Sequence, residues 1–170
     1  VHTLSNFITT NDSYVTPVPS RHLQKQGVLT LTDDITESQT DIRIQKNDLF
    51  EIPLSLNTLQ IDDELIIYNK VEKETDFFLL KDCKRGAFKT KASGHSSKTP
   101  LYKLSDHVYK VFFRDLALQD TLADRIADLM NRIGLSQISF DRLEGCSYTG
   151  HDEYAISRFA PRCYTQFNYN

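Results

Sequence analysis

The chain has no tryptophan, one methionine, three cysteines, six glycines and five prolines in 170 residues. With 39% hydrophobic residues and so little Gly and Pro, it is neither collagen-like nor a disordered chain, and three cysteines cannot staple a disulfide-dense miniprotein. Cys83, Cys146 and Cys163 form no CxxC pair and have no histidine at ligand spacing, which argues against a zinc site and allows at most one internal disulfide. Neither sign of charge dominates: 20 Lys+Arg stand against 23 Asp+Glu, a net of −3. Without a basic stripe there is little counterion release to drive binding, so no nucleic-acid partner is expected. No apolar run approaches the roughly 20 residues of a bilayer-spanning helix, and no membrane span is expected. Val1 to Asn6 lack the charged start and apolar block of a signal peptide, and the chain is expected to be cut from something longer. It has no P-loop, no GxGxxG and no Gly-x-Ser-x-Gly turn, so no cofactor is expected and nucleotide binding and Ser-His-Asp catalysis find no support.

What is present is a series of short β-like segments. Residues 1–20 form an N-terminal segment ending in the polar, Pro-containing Thr16 to Ser20, and a β module follows over 21–104. Val28 to Thr32 and Asp41 to Gln45 alternate apolar and polar residues with the period of two that a sheet with one dry face requires. Asp63 to Val71 and Asp76 to Leu80 are dense in branched and aromatic residues around the charged Glu72 to Thr75, the pattern of a hairpin with a longer loop. Many short strands without a helix predict a small antiparallel β barrel or sandwich.

From about residue 105 to 170 the pattern changes. Val108 to Phe113 predicts a buried strand, and Leu118, Leu122, Ile126, Leu129, Met130 and Ile133 fall at helical spacing. Asp120 or Gln119 can start that helix, and Gly134 can end it. Leu135 to Asp141 then predicts a short strand, and His151 to Phe159 a helix. Strand, helix, strand, helix is the order of a βα repeat with parallel strands, whose carboxyl ends carry the chemistry. The fold class predicted for the whole is therefore α+β, a small antiparallel module followed by the first βα units of a partial (β/α)-barrel.

The chemistry would sit at Ile138 to Gly145, where a strand ends in Asp141 with Glu144 three residues later. Paired carboxylates suit glycosidic bond cleavage: one ionised to attack or to steady an oxocarbenium-like centre, one protonated to supply the leaving oxygen with a proton. Spacing leaves retention and inversion open, and the plainer alternative is that Asp141 only ends the strand while Glu144 is a solvated loop residue. Asp152 and Glu153 could join them around a hard cation, but solvation is the more ordinary explanation and no metal is assigned. Tyr148, between carboxylates and helix, is the aromatic best placed for substrate contact, whereas His95 and His107 read as turn or packing residues.

Residues 104–159 resemble the opening of the catalytic barrel in bacterial polysaccharide-degrading glycoside hydrolases whose strand reads "isFDGLEG", followed by "tGH..Y...RF". The matching positions are Ile138 to Gly145, Thr149-Gly150-His151, Tyr154 and Arg158-Phe159. The resemblance implies a carbohydrate substrate, Asp141 and Glu144 as catalytic carboxylates facing the cleft, His151 as a hydroxyl contact, and a periplasmic or extracellular place. Arg142 departs from the pattern by standing where it has Gly, so that a guanidinium either obstructs close approach or pairs with Asp141 and keeps it ionised. It joins Tyr148 and His151 as a candidate substrate-binding residue. A fragment with two βα units implies no activity alone.

A second resemblance covers Asp62 to Tyr68, then Cys83 to Phe88, Thr90, Ala92 and His95. It is similar to a β module, "DElI.Y…c.RGa.gT.A..H", found ahead of such barrels and in phage tail-type proteins. Arg85 can hold Glu64 or nearby carbonyls in a fork, with structural cement as its first role, and Lys89 stands where the pattern has Gly. The alternative to an enzyme is thus a non-catalytic β-rich interaction or assembly module. Oligomeric state is left open.

Overall fold

The structure is a computed structural model that describes residues 5–7, 22–51, 53–107, 110–140 and 152–168. The chain divides into a larger unit holding Lys25–Phe112 and a smaller one holding His22–Gln24 and the described part of Phe113–Asn170.

In the larger unit the first sheet has the order β2-β8-β4-β5, built from β2 (Lys25–Thr30), β8 (Pro100–Leu104), β4 (Thr58–Ile61) and β5 (Glu64–Ile67). The second has the order β3-β7-β6, from β3 (Ile42–Gln45), β7 (Phe77–Lys81) and β6 (Lys70–Lys73). Every neighbouring pair in both is antiparallel. Alternation decides which side chains go inward: Ile42 and Ile44 are fully buried while Arg43 and Gln45 stay outside, and Phe78 and Leu80 follow the same rule. Leu29, Leu59, Ile61, Ile66 and Leu101 from the first sheet join them in one apolar cluster. Lys103 of β8 is also fully buried; its Nζ donates to the Leu49 carbonyl and lies over the Phe50 ring. Burial pushes the Lys103 amine below its ordinary range.

A further sheet has the order β1-β10-β9, from β1 (Ser5–Phe7), β10 (Val111–Phe113) and β9 (Asp106–His107), with β10 antiparallel to β9. In the smaller unit α1 (Leu116–Arg132) starts three to four residues before the Gln119 or Asp120 that the sequence suggests, because Asp115 caps it: its carboxylate accepts from Leu118 N–H at 2.8 Å. It ends where Gly134 takes the left-handed φ of 70°. Leu135 N–H donates to Met130 O at 2.9 Å and Gly134 N–H to Asn131 O at 3.3 Å, the paired closure of a Schellman motif. Then α2 (Asp152–Tyr164) packs on α1 through Ala123, Ala127, Met130, Phe159 and Cys163.

Two expectations of the fold are corrected. The strands of the larger unit form two separate sheets, so no barrel closes among the described residues. The βα units of a partial (β/α)-barrel are absent from them too: β10 pairs antiparallel, and residues 135–140 form no strand. The physical reason lies in what the apolar residues of that stretch cover. Leu135, Ser136 and Gln137 are exposed, whereas Ile138 and Phe140 turn onto the helix pair, with Phe140 edge-on to Phe159 at 5.5 Å and the Tyr164 hydroxyl donating to Ile138 O. Alternation that reads as a strand serves here to cover two helices.

Candidate functional site

The described residues bring chemistry together at one place, around Glu64. The β4–β5 turn is only Asp62-Asp63, with Ile61 opposite Glu64 in the ladder, and Asp62 takes a left-handed φ of 50° that aspartate tolerates better than most residues. This tight turn sets the Glu64 side chain inward, where only 1% of it is exposed.

The chain returns to it over residues 84–95. Arg85 forks onto Glu64, Nε to Oε1 and Nη2 to Oε2, both at 2.8 Å. Its remaining donors go to Thr36 O, to Gln39 O at 3.2 Å and to Ser93 O at 2.6 Å. Gly86 N–H donates to Oε1 at 2.9 Å and Ser93 N–H to Oε2 at 3.2 Å. His95, buried, places Nε2 2.8 Å from Glu64 Oε2 and Nδ1 3.0 Å from Asp62 Oδ2. One carboxylate thus gathers Arg85, Gly86, Ser93 and His95.

The electrostatics follow. Burial is the largest single influence on Glu64 and raises its pKa, but the hydrogen bonds from Arg85, His95, Gly86 and Ser93 together overcome it and hold the carboxyl below its ordinary value. A carboxylate with a depressed folded pKa stabilises the fold above its unfolded value, about 4.3, and that contribution is lost as pH falls through the folded value. Urea unfolding followed from pH 7 downward should therefore show stability declining below about pH 4.3, with Glu64→Gln flattening the decline. An unchanged acid limb in that variant would refute the assignment.

Gly86 fits this loop because it has no Cβ: at its φ of 59° an added Cβ would lie 2.8 Å from the Thr90 carbonyl oxygen and 3.1 Å from Ala92 N. Lys89 is also left-handed, at φ 66°, where the pattern of the second resemblance carries Gly. Lys89→Gly should stabilise the protein by about 0.5–1 kcal/mol, since relief of left-handed strain, roughly 1–2 kcal/mol, outweighs the added freedom of the unfolded chain, roughly 0.5–1. A thermal melt checks it; a lower melting temperature would count against strain at this position.

The fork of Arg85 on Glu64 and on carbonyls is as the sequence suggests. His95 does more than fill a turn: it bridges two carboxylates, and the only sequence signal for that is its place in the pattern after Arg-Gly. Asp141, Arg142, Glu144, Tyr148 and His151 lie outside the described residues. Of the positions flanking them, Arg158 forks onto Asp120 of α1 at 2.8 and 2.6 Å and donates to the Tyr154 hydroxyl at 2.8 Å, and Phe159 is buried. Those two residues of the "RF" pair hold α2 to α1.

No family model, curated protein or solved structure matches this chain. Glu64, Arg85 and His95 are buried and mutually satisfied, which is the arrangement of a structural lock. Burial pushes the Cys83 thiol up to about 12 and the Cys163 thiol up to about 11, so neither offers a thiolate nucleophile. Among the described residues no group of three His, Cys, Asp or Glu could hold a metal ion, and no helix is long and apolar enough to cross a membrane.

Proposed function

We propose that this chain is part of a glycoside hydrolase acting on a complex polysaccharide, in which the unit holding Lys25–Phe112 is a non-catalytic β module and Asp141 and Glu144 supply the carboxylate chemistry. The observation that supports this reading is the convergence at Glu64. Arg85, Gly86, Thr90 and His95, spread over a pattern of residues that resembles the module preceding such enzymes, each have a definite task in one loop. The hydrolase activity itself rests on the sequence resemblance at Ile138 to Gly145. In this role Arg142, Tyr148 and His151 would contact the sugar around the two carboxylates.

The satisfied lock also favours a second reading, a β-rich module for assembly or adhesion without catalysis, because no polar group of the lock is left over for a substrate. One experiment separates the two. The protein in its full natural length is incubated with pectic and host glycans, and new reducing ends are counted beside Asp141→Asn and Glu144→Gln. Hydrolysis that falls about 10²–10⁴-fold in the variants supports the first reading. Glycan or partner retention that survives both substitutions, with no hydrolysis, supports the second, and equal turnover by all three proteins removes Asp141 and Glu144 from the mechanism.

A further inference from the structure

His95 stands between two carboxylates, and both of its ring nitrogens are engaged. Nε2 lies 2.8 Å from Glu64 Oε2 and Nδ1 3.0 Å from Asp62 Oδ2. An ionised carboxylate only accepts hydrogen bonds, whereas a neutral imidazole donates through one nitrogen and keeps a bare lone pair on the other. A neutral ring would therefore set a lone pair against a carboxylate oxygen on one side. With the proton on Nδ1 the conflict falls on Glu64, whose side chain is 1% exposed and cannot turn to water. With the proton on Nε2 it falls on Asp62, whose side chain is 66% exposed yet lies against the ring.

Neither carboxylate is a better home for that missing proton. Glu64 Oε1 already accepts from Arg85 Nε and Gly86 N–H, and Oε2 from Arg85 Nη2 and Ser93 N–H, contacts that a carboxyl O–H would break. Asp62 faces water, and imidazole is a stronger base than a carboxylate by about two pH units. Charge points the same way. The charged groups at this ring, among the described residues, are Asp62 from the β4–β5 turn, Glu64 from β5 and, on the far side of Glu64, Arg85. From the Ile35 side come backbone hydrogen bonds, His95 N–H to Ile35 O and Ile35 N–H to His95 O, both at 2.9 Å, while neighbouring Asp34 is spent on Ser97 N–H at 2.7 Å. Two carboxylates and one guanidinium leave a single negative charge, and a second ring proton cancels it.

We propose that His95 is a proton-binding site: it carries protons on both ring nitrogens at neutral pH, and the β4–β5 turn and the loop of residues 84–95 close around that imidazolium. The proton leaves without any opening of the loop, because Nδ1 faces the solvent-exposed Asp62. The folded chain thus keeps a proton that the unfolded chain gives up near pH 6.5. Its contribution to stability is fully present below about pH 6.5 and is lost as pH rises, until the folded ring gives up the proton too. This alkaline limb is separate from the acid limb set by Glu64.

The test reads the ring nitrogens directly, by nitrogen-15 magnetic resonance of the full chain, with His95 assigned through its backbone and the pH varied from about 6 to 9. Both His95 nitrogens should register as protonated at about pH 7, where a neutral ring shows one bare nitrogen. Asp62→Asn is the companion variant. It removes the charge facing Nδ1 on an exposed residue, at a left-handed position that asparagine tolerates, so the fold survives. In this variant the bare nitrogen should appear at a pH lower by about one unit or more. Its urea midpoint should also decline less than that of the wild type over the same pH range. A bare His95 nitrogen in the wild type at about pH 7 overturns the proposal. So does a ring that loses its proton at the same pH in both proteins, or a pair of urea midpoints that decline in parallel.

Discussion

Arg85→Met should lower the stability of the larger unit by about 3–5 kcal/mol, the loss expected when one partner of a buried ion pair is removed and the other charge stays behind. The size follows from what remains. Glu64 is 1% exposed and Arg85 6%, so water cannot replace the guanidinium at the carboxylate, and the Thr36, Gln39 and Ser93 carbonyls lose a donor at the same time. Arg85→Lys should recover only part of the loss, because an ammonium cannot make the parallel fork to Oε1 and Oε2 while also reaching three carbonyls. Glu64→Gln should cost less than Arg85→Met, since a neutral amide still accepts hydrogen bonds and leaves Arg85 its three carbonyls. Urea unfolding of the four proteins measures this, as a midpoint shift at constant slope. A loss below about 1 kcal/mol in Arg85→Met would place the pair among surface ion pairs and end the account of the lock.

Parts of this architecture are legible in the residues and parts are not, for physical reasons. Alternation marks β3 and β7, each of which shows one face to the core and one to solvent. It misleads for β4, Thr58–Ile61, which alternates polar and apolar residues yet buries all four, so that Thr58 and Gln60 mark no face open to solvent. Lys103 misleads in the same way: a lysine in β8 reads as exposed, yet its amine is spent on the Leu49 carbonyl and the Phe50 ring. The stop of α1 is legible because Gly134 is one residue doing one local job, whereas its start is not, because Asp115, Gln119 and Asp120 all can cap and only tertiary context chooses. At the site, the resemblance that covers Glu64 and Arg85 suggests a fork onto Glu64 or nearby carbonyls, but the gathering of Gly86, Ser93 and His95 on the same carboxylate depends on the path of the loop. The proposed catalytic carboxylates Asp141 and Glu144 belong to the sequence reading alone.

The same alternation at Leu135 to Phe140 explains why the βα prediction fails, and it identifies the residue on which the smaller unit depends most. Phe159 is 2% exposed and meets Phe140 edge-on, among Ala123, Ala127, Met130, Cys163 and Phe167. Ala123 and Ala127 on α1 carry only methyl groups, which cannot fill the space a phenyl ring vacates. Phe159→Ala should therefore cost about 3–5 kcal/mol. Its effect should fall on the helical signal, since α1 and α2 supply the α-helix among the described residues. Far-ultraviolet circular dichroism during urea titration should show the helical band lost at lower denaturant, while amide protection in β3 and β7 holds. Phe159→Leu, which keeps most of the apolar volume, should recover more than half of the loss. If Phe159→Ala instead unfolds with the midpoint of the wild type, the helix pair is not held by this ring, and residues 138 and 140 cover some other core.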